Sequence, residues 1–369
     1  MDRRYTILCI NPGSTSTKLA LFSNETKIDE TNIIHSAEEI RKYPDIISQL
    51  PMRKTAIYDY LSQHGVDLAV LDAIAARGCP AGRRYHSGAY EIDVDMVAAC
   101  LQPANIVHPM CLAPVIAHEL ASERSIPAYN YDVVMVDELK DVARVTGLPQ
   151  VKRNASAHTL NTKAVAREVA EEMGRSYEDV NFIMCHLGGG CSVSMHERGR
   201  ITDMVPSGEG SFTPSRAGRL TNRSVIKLCF SGRYSEKELK ELLQSRGGFI
   251  AHLGTNDCRE VEAMIARGDS RARLVYEAFA YNLAKDIGMM AVTTGGRVDR
   301  IVLTGGIAHS KMLTGMVKEL VEFIAPVVIR PGAREMEALA GGVLRVLRGE
   351  EKARRFSEDF TDNRQFRKK

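Results

Sequence analysis

Two stretches decide how this chain is read: ILCINPGSTSTKLALF, Ile7 to Phe22, and IMCHLGGGCSVSMH, Ile183 to His196. Each is an apolar, β-rich run, then a turn of Gly, Ser or Thr, then a second β-rich run, which is the pattern of a strand-turn-strand hairpin. At an offset of 176, Ile7 meets Ile183 and Cys9 meets Cys185. Chance likeness between two short hairpins would explain that spacing, and so would a duplicated architecture with one hairpin per domain. A third run, RIVLTGGIAHS at 300–310, ends in Gly305-Gly306 and opens a helical pattern.

Outward from these, strand patterns alternate with helical ones, the signature of α/β layering. Strands are expected at Tyr5–Ile10, Lys18–Phe22, Ala69–Ala75, Asn181–His186, Ser192–Met195, Arg300–Leu303 and Pro326–Ile329. Helices are expected at Pro109–Glu123, Thr162–Met173, Ser235–Gln244 and Ser270–Thr293. In the last, Val275, Phe279, Leu283, Ile287 and Met290 form one stripe that reads as core packing.

A length of 369 residues suggests two domains. The pattern restarts near Lys152 to Ala157, so the first domain is expected over 1–153, completed by a helix near 335–350. The second is expected over 154–334, with a basic tail at 351–369. The 44% hydrophobic and 26% charged residues fit a soluble globular protein. The net charge of +3 comes from 345–369, where nine basic residues face five acidic ones. The fold therefore lacks the basic surplus of a nucleic-acid binder. No run of 18 apolar residues is present, and Met1-Asp2-Arg3-Arg4 does not lead into a signal-peptide pattern. The eight cysteines are scattered without a CxxC pair, as reduced buried thiols would be. A cytoplasmic protein without nucleic-acid or membrane partners is expected.

Turns of Gly, Ser and Thr expose backbone N–H groups and hydroxyls to which a phosphate can come close. Neither hairpin has Walker A spacing, and Gly188-Gly189-Gly190 fails the dinucleotide pattern because Val193 stands where its last glycine belongs. A lone turn of this kind is usually only a turn. Two such hairpins followed by a Gly-Gly strand-to-helix turn point to a nucleotide held by two domains.

The segments INPGSTSTK, CHLGGG and LTGGIAHS resemble the two phosphate motifs and the adenosine motif of the acetate and butyrate kinases, the acetokinase family of the actin-like and sugar-kinase superfamily. YDVVMVDEL, RNASAHTLN, EGSFTPSRAG and REMEALAGG match in the same order. HLGGG and TGGIAHS stand where acetate kinases carry HLGNG and AGIGEN, and with the shorter length they resemble the butyrate branch. The resemblance implies two ribonuclease-H-like (actin-like ATPase) α/β domains around a central nucleotide cleft. It also implies ATP and Mg²⁺ as cofactors, a homodimer or larger assembly, and phosphoryl transfer to a short-chain carboxylate, with the reverse reaction forming ATP.

Such a transfer spreads charge over three phosphoryl oxygens, and a carboxylate acceptor needs no strong base. The expected site is therefore rich in Arg, His and Asn. Asn11 would donate to a phosphate; otherwise it caps its own turn. Lys18 would neutralise phosphate charge or is simply solvated, and Ser14 and Ser16 would line the same turn. Arg77, in AARGCP, matches the arginine that holds the substrate carboxylate, and Arg216, in FTPSRAG, the one that clamps the transferring group. Arg83 and Arg84 match nothing and read as surface residues. Asp132 matches the acid beside the phosphoryl group, and His158 the histidine that donates to it. His108 fits a further histidine near the acyl group, or a residue packed before Pro109. Glu335 is the expected metal-side carboxylate, with Glu337 one slip of register away; either could simply be a first-turn glutamate. Gly188, Gly189 and Gly190 would contact phosphates, and Gly305, Gly306, Asp257 and Arg259 the adenosine, with Cys258 where the family has an aromatic.

Small residues are expected around the acyl chain: Cys79 after Arg77, Val107 before His108, and Ala157 where acetate kinases carry Phe. Two more methylenes would favour butyrate over acetate by about 1.6 kcal/mol. GCPA replaces the Gly-Gly-Leu-Leu of butyrate kinases, which leaves isobutyrate, propionate and acetate as alternatives. A nucleotide-gated actin-like binding protein is the rival from another class, but it has no use for Arg77, His158 and Arg216.

Overall fold

Ile7, Leu8, Cys9 and Ile10 are all fully buried, so the run can only be an interior strand. In the computed structural model, which describes residues 3–81, 84–106 and 108–357, it lies inside a six-stranded sheet. Strands β1 (Thr6–Pro12), β2 (Ser16–Ser23) and β3 (Thr26–Ile34) form an antiparallel meander. Beside β1 lie β4 (Ala73–Ala76) and β6 (Ala128–Tyr131), both parallel to it, and β5 (Ala89–Glu91) closes the order β3-β2-β1-β4-β6-β5.

One face of this sheet presents Leu8, Ile10, Leu19 and Leu21, which share a core with Ile57 and Leu61 of the helix Leu50–Gln63 and Ile116 and Leu120 of Leu112–Ser122. The helix Glu335–Leu347 belongs to the other face. There the Cys9 thiol lies 3.8 Å from the Met336 carbonyl, and the Tyr5 hydroxyl donates to Leu347 at 3.0 Å. A Cβ on Gly342 would come within 2.3 Å of the Tyr131 ring, so glycine lets this helix reach the sheet.

The second sheet repeats the plan. Strands β7 (Asn181–Leu187), β8 (Cys191–Glu197) and β9 (Arg200–Val205) form the meander, and β10 (Arg300–Gly305) and β11 (Val327–Pro331) run parallel to β7, in the order β11-β10-β7-β8-β9. Ile183, Cys185 and Leu303 share a core with residues of the helices Ser270–Val292 and Lys311–Val321. Phe182, Met184 and Val302 pack on Val165 and Val169 of Thr159–Glu172.

The shared plan supports duplication over chance, but at a different register from the expected 176. In each half, one face of the meander meets the helix that connects the third and fourth strands. That face holds Leu8 and Leu19 in one half, Ile183 and Val193 in the other. The first strands therefore correspond at 175 residues and the second at 174, because the first turn is one residue longer. At 176, Ile7 would be equated with a residue on the opposite face, since one step along a strand reverses it.

The chain divides into two compact units, 1–137 with 334–369, and 138–333. The crossing comes earlier than the expected 153/154. Leu139, Ala155 and Ala157 pack with Ile201 and Met204, and buried Glu138 pairs with Lys163 at 2.8 Å, which ties 138–157 to the second unit. The expected basic tail also begins too early. Phe356 is buried in the first core, and the Arg354 N–H donates to Ala89 at 2.9 Å. Residues 358–369 lie outside the described residues.

Candidate active site

In the first unit the carboxyl ends of parallel β1, β4 and β6 carry Asn11, Arg77 and Asp132 to one edge of the sheet, the edge where open α/β sheets bind ligands. The Arg77 N–H donates to Ile10 at 2.8 Å, extending the β1–β4 pairing by one residue. Its guanidinium pairs with Glu335 at 2.9 Å and donates to the Asn11 amide oxygen at 3.5 Å. The Asn11 amide donates to the other Glu335 oxygen at 3.4 Å. Three residues distant in sequence thus form one polar cluster. Glu337 is engaged elsewhere, by Lys27 at 2.8 Å.

His108 joins the tip of the first hairpin. Its Nδ1 accepts from the Met110 N–H at 3.1 Å, which leaves the proton on Nε2 to donate to the Ser14 hydroxyl at 3.1 Å. Burial, then the charges of Arg77 and Arg53, hold its pKa below the usual histidine value, so the ring is neutral at pH 7. His108 thus caps the turn before Pro109, as one of its two readings expects, and it also reaches the hairpin.

In the second unit, His158 precedes the helix Thr159–Glu172, and its Nδ1 lies 3.1 Å from the Ser192 hydroxyl on β8. Its ring stacks on His186 at 3.9 Å between centroids and 9° between planes. The Asn161 amide donates to His186 Nδ1 at 3.0 Å, leaving the proton on Nε2, which faces the Gly188 turn. His186 was not among the expected site residues. At the observed register it occupies the position of Asn11, also 175 residues away, and that was the signal to be read.

Arg216 lies against the same turn: a Cβ on Gly190 would fall 2.7 Å from its guanidinium. The loop that carries it is fastened to the turn, since Thr213 and Ser215 donate to the Gly189 carbonyl at 2.6 and 2.9 Å. It is also fastened to the long helix. Buried Asp286 accepts from the Ser211 N–H at 2.6 Å and from Arg219 at 2.6 Å, and burial raises its pKa. The stripe read as core packing thus runs beside a loop anchor.

Other expected residues fall outside these clusters. Asp132 is 1% exposed and has a φ of +40°, with its carboxylate accepting from Ser87 at 2.5 Å and the Gly88 N–H at 2.9 Å. Lys18 is paired with Glu30 at 2.8 Å. Ser16 opens β2, and its carbonyl accepts from Gly13. Cys79 is fully buried and Ala157 is 3% exposed, both in hydrophobic cores, so neither offers an acyl chain an open surface. Val107 lies outside the described residues, as does Arg83. Arg84 is not a free surface residue, because it pairs with Asp137 at 3.3 Å. Asp257 caps the helix Cys258–Ala266 and is gripped by exposed Arg259 at 2.6 Å.

The glycine turns fit a phosphate chain. A Cβ on Gly188 would meet nothing closer than 3.4 Å, on Gly189 nothing closer than 3.8 Å, and on Gly306 nothing within 4 Å. The protein's own packing does not demand glycine there, and the space left open suits a ligand's approach. Gly305 is different: at φ +91° its Cβ would strike the Leu187 carbonyl at 2.3 Å. Among the described residues no group of three or more His, Cys, Asp or Glu could hold a metal. The lone Glu335 carboxylate fits Mg²⁺, which takes one or two protein carboxylates and its other oxygens from phosphates and water.

A model of the acetokinase family matches residues 141–324. The acetate kinase of Porphyromonas gingivalis, 18% identical, superposes with a TM-score of 0.77 over 93% of this chain and 100% of its own. A propionate kinase of Francisella tularensis, also 18% identical, reaches 0.73 over 92% and 98%. The acetate kinase of Entamoeba histolytica, 16% identical, reaches 0.73 over 91% and 98%. At these identities the likeness is one of fold, two α/β domains of the actin-like kind. The segment matched by the acetokinase model fills most of the second unit, and the fold of these kinases is shared over more than nine-tenths of the chain.

Proposed function

We propose that this protein transfers the γ-phosphoryl group of ATP to a short-chain carboxylate, with butyrate the preferred acid, and catalyses the reverse reaction. The observation that carries the reading is the Asn11–Arg77–Glu335 cluster. At that sheet edge Glu335 is paired to an arginine. Its planar fork matches a carboxylate acceptor that is already ionised.

In this reading Arg77 binds the acid's carboxylate, exchanging Glu335 for it, and Asn11 steadies both. Ser14, oriented by neutral His108, presents its N–H and hydroxyl to phosphate oxygens. In the second unit the Gly188–Gly190 turn cradles phosphates, with the His186 Nε2–H aimed at that turn. Arg216 neutralises the charge that builds on the transferring group, and His158, held by Ser192, donates to it. Bound Mg²⁺ supplies charge neutralisation on the phosphates, and Glu335 is the side chain that would hold it. The butyrate preference rests on the HLGGG and TGGIAHS motifs, since Cys79 and Ala157 are packed away.

The test is ADP release from ATP and Mg²⁺ with acetate, propionate, butyrate, isobutyrate or valerate, with hydroxylamine trapping the acyl phosphate. Turnover highest with butyrate and lost in Arg216→Ala is the expected result. A different acid on top keeps the mechanism and changes the substrate. ATP hydrolysis that ignores every acid overturns the kinase reading and leaves a nucleotide-gated binding protein.

A further inference from the structure

Arg53, in the helix Leu50–Gln63, is fully buried, and no motif of the sequence singled it out. Its guanidinium lies directly behind the first hairpin. One nitrogen donates to the Gly13 carbonyl at 2.9 Å, and another to the Ser16 carbonyl at 3.0 Å and the Thr17 hydroxyl at 3.1 Å. Two further bonds go to the Gln49 side chain, at 3.0 and 3.2 Å. Every one of these acceptors is uncharged. Burying a cation without a hydrogen-bonded carboxylate is costly, and simple packing would be served better by an apolar side chain.

The geometry of the turn supplies a reason. The Gly13 carbonyl and the Ser14 N–H belong to one planar trans peptide and point in opposite directions. Arg53 draws that carbonyl inward, so the Ser14 N–H faces outward, on the residue whose hydroxyl His108 holds. The Thr15 carbonyl is turned inward too, accepting from the His35 N–H at 2.9 Å. Thr17, which accepts from Arg53, donates its own hydroxyl hydrogen bond to His35 Nε2 at 2.8 Å, so the guanidinium is locked in place.

We propose that Arg53 is a positioning residue for nucleotide binding: it pre-sets the first hairpin so that the Ser14 N–H points at a phosphate, and it puts a buried positive charge behind that donor. The inference rests on the carboxylate-kinase reading only in taking the ligand to be a nucleotide phosphate. A lysine has the charge but cannot bridge the Gly13 and Ser16 carbonyls with one planar fork.

The experiment compares wild type, Arg53→Lys and Gln49→Leu. It measures the Kd for Mg-ADP in the absence of any acid, the KM for ATP and for the preferred acid, and the melting temperature. For Arg53→Lys the expected result is an ADP Kd and an ATP KM raised about ten-fold or more, with the KM for the acid within about two-fold of wild type. Gln49→Leu keeps the charge and removes the acceptor of two bonds; a rise of about three-fold in the same two constants is expected. Should Arg53→Lys not fold, Gln49→Leu carries the test. A folded variant with a lower melting temperature and unchanged nucleotide constants overturns the proposal, as does a loss shared equally by nucleotide and acid. A wild type that binds ADP but phosphorylates no acid defeats the functional reading alone, and the binding measurement still judges Arg53.

Discussion

Arg77 is held by Glu335, and the acid proposed as substrate offers it the same chemical group. Arg77→Lys removes the two-pronged grip, and the KM for the acid is expected to rise about ten- to a hundred-fold with the KM for ATP little changed. Steady-state kinetics with each substrate varied in turn checks the split. The two glutamates of REMEALAGG separate in the same way. Glu335→Gln is expected to lower kcat by about ten-fold or more. Glu337→Gln breaks only its half-exposed pair with Lys27, and is expected to leave kcat unchanged and stability within about 0.5 kcal/mol. A loss of kcat in Glu337→Gln with none in Glu335→Gln would move the metal side to Glu337. Asn11, Arg77 and Glu335, each taken from a motif, do meet, whereas Asp132 and Lys18, taken from motifs in the same way, are engaged by Ser87 and Glu30. Arg53 was not legible: a buried arginine inside LPMRKTAIYDYLSQ looks like any helix-surface cation until its acceptors are known.

At the scale of the element, the turn after β10 joins two glycines with different duties. Gly305 sits at φ +91° against Leu187, so Gly305→Ala is expected to destabilise the protein by about 2–4 kcal/mol, read from chemical denaturation. Gly306 has open space around it, and Gly306→Ala is expected to leave stability alone while raising the KM for ATP. If Gly306→Ala instead unfolds the protein and spares that KM, this turn has no nucleotide role. Of the strands legible beforehand, β1, β2, β7, β8 and β10 are buried along most of their length. β11 was legible too, and β4 only in part, because the expected Ala69–Ala75 begins in the helical turn Leu68–Val70 and the strand itself is Ala73–Ala76. β3 escaped because TKIDETNII is a mostly polar edge strand, and β5 and β6 because three or four residues carry no period. In the long helix the apolar stripe was plain, but Asp286 beside it was not, since its role depends on a loop some seventy residues earlier in the chain.

For the whole molecule, several histidines are neutral because they are buried. Burial lowers the pKa of His35 and His108, helped by the charge of Arg53 in both, and lowers that of His196 well below the usual value. In the unfolded chain these rings take up protons near pH 6.5, whereas the folded protein resists them. Stability is therefore complete above about pH 6.5 and is lost as pH falls from there toward the lowered folded values. The melting temperature is expected to be lower at pH 5 than at pH 7, and the drop to shrink in His35→Gln; a flat profile would show that these rings titrate alike in both states. The two-domain plan was legible from the repeated hairpin, but its boundary was not, because 138–157 joins the second unit through Glu138 and Leu139 instead of through a strand. The first unit is also built from two separated pieces of chain, and the later piece brings Glu335. A ribosome has to add about 200 residues after Asp137 before that helix exists, on the order of 10–40 s at about 5–20 residues per second. The second unit is therefore the first to be complete in sequence, and the first unit must wait with one face of its sheet uncovered, a period in which a nascent chain depends on chaperones and is exposed to proteases.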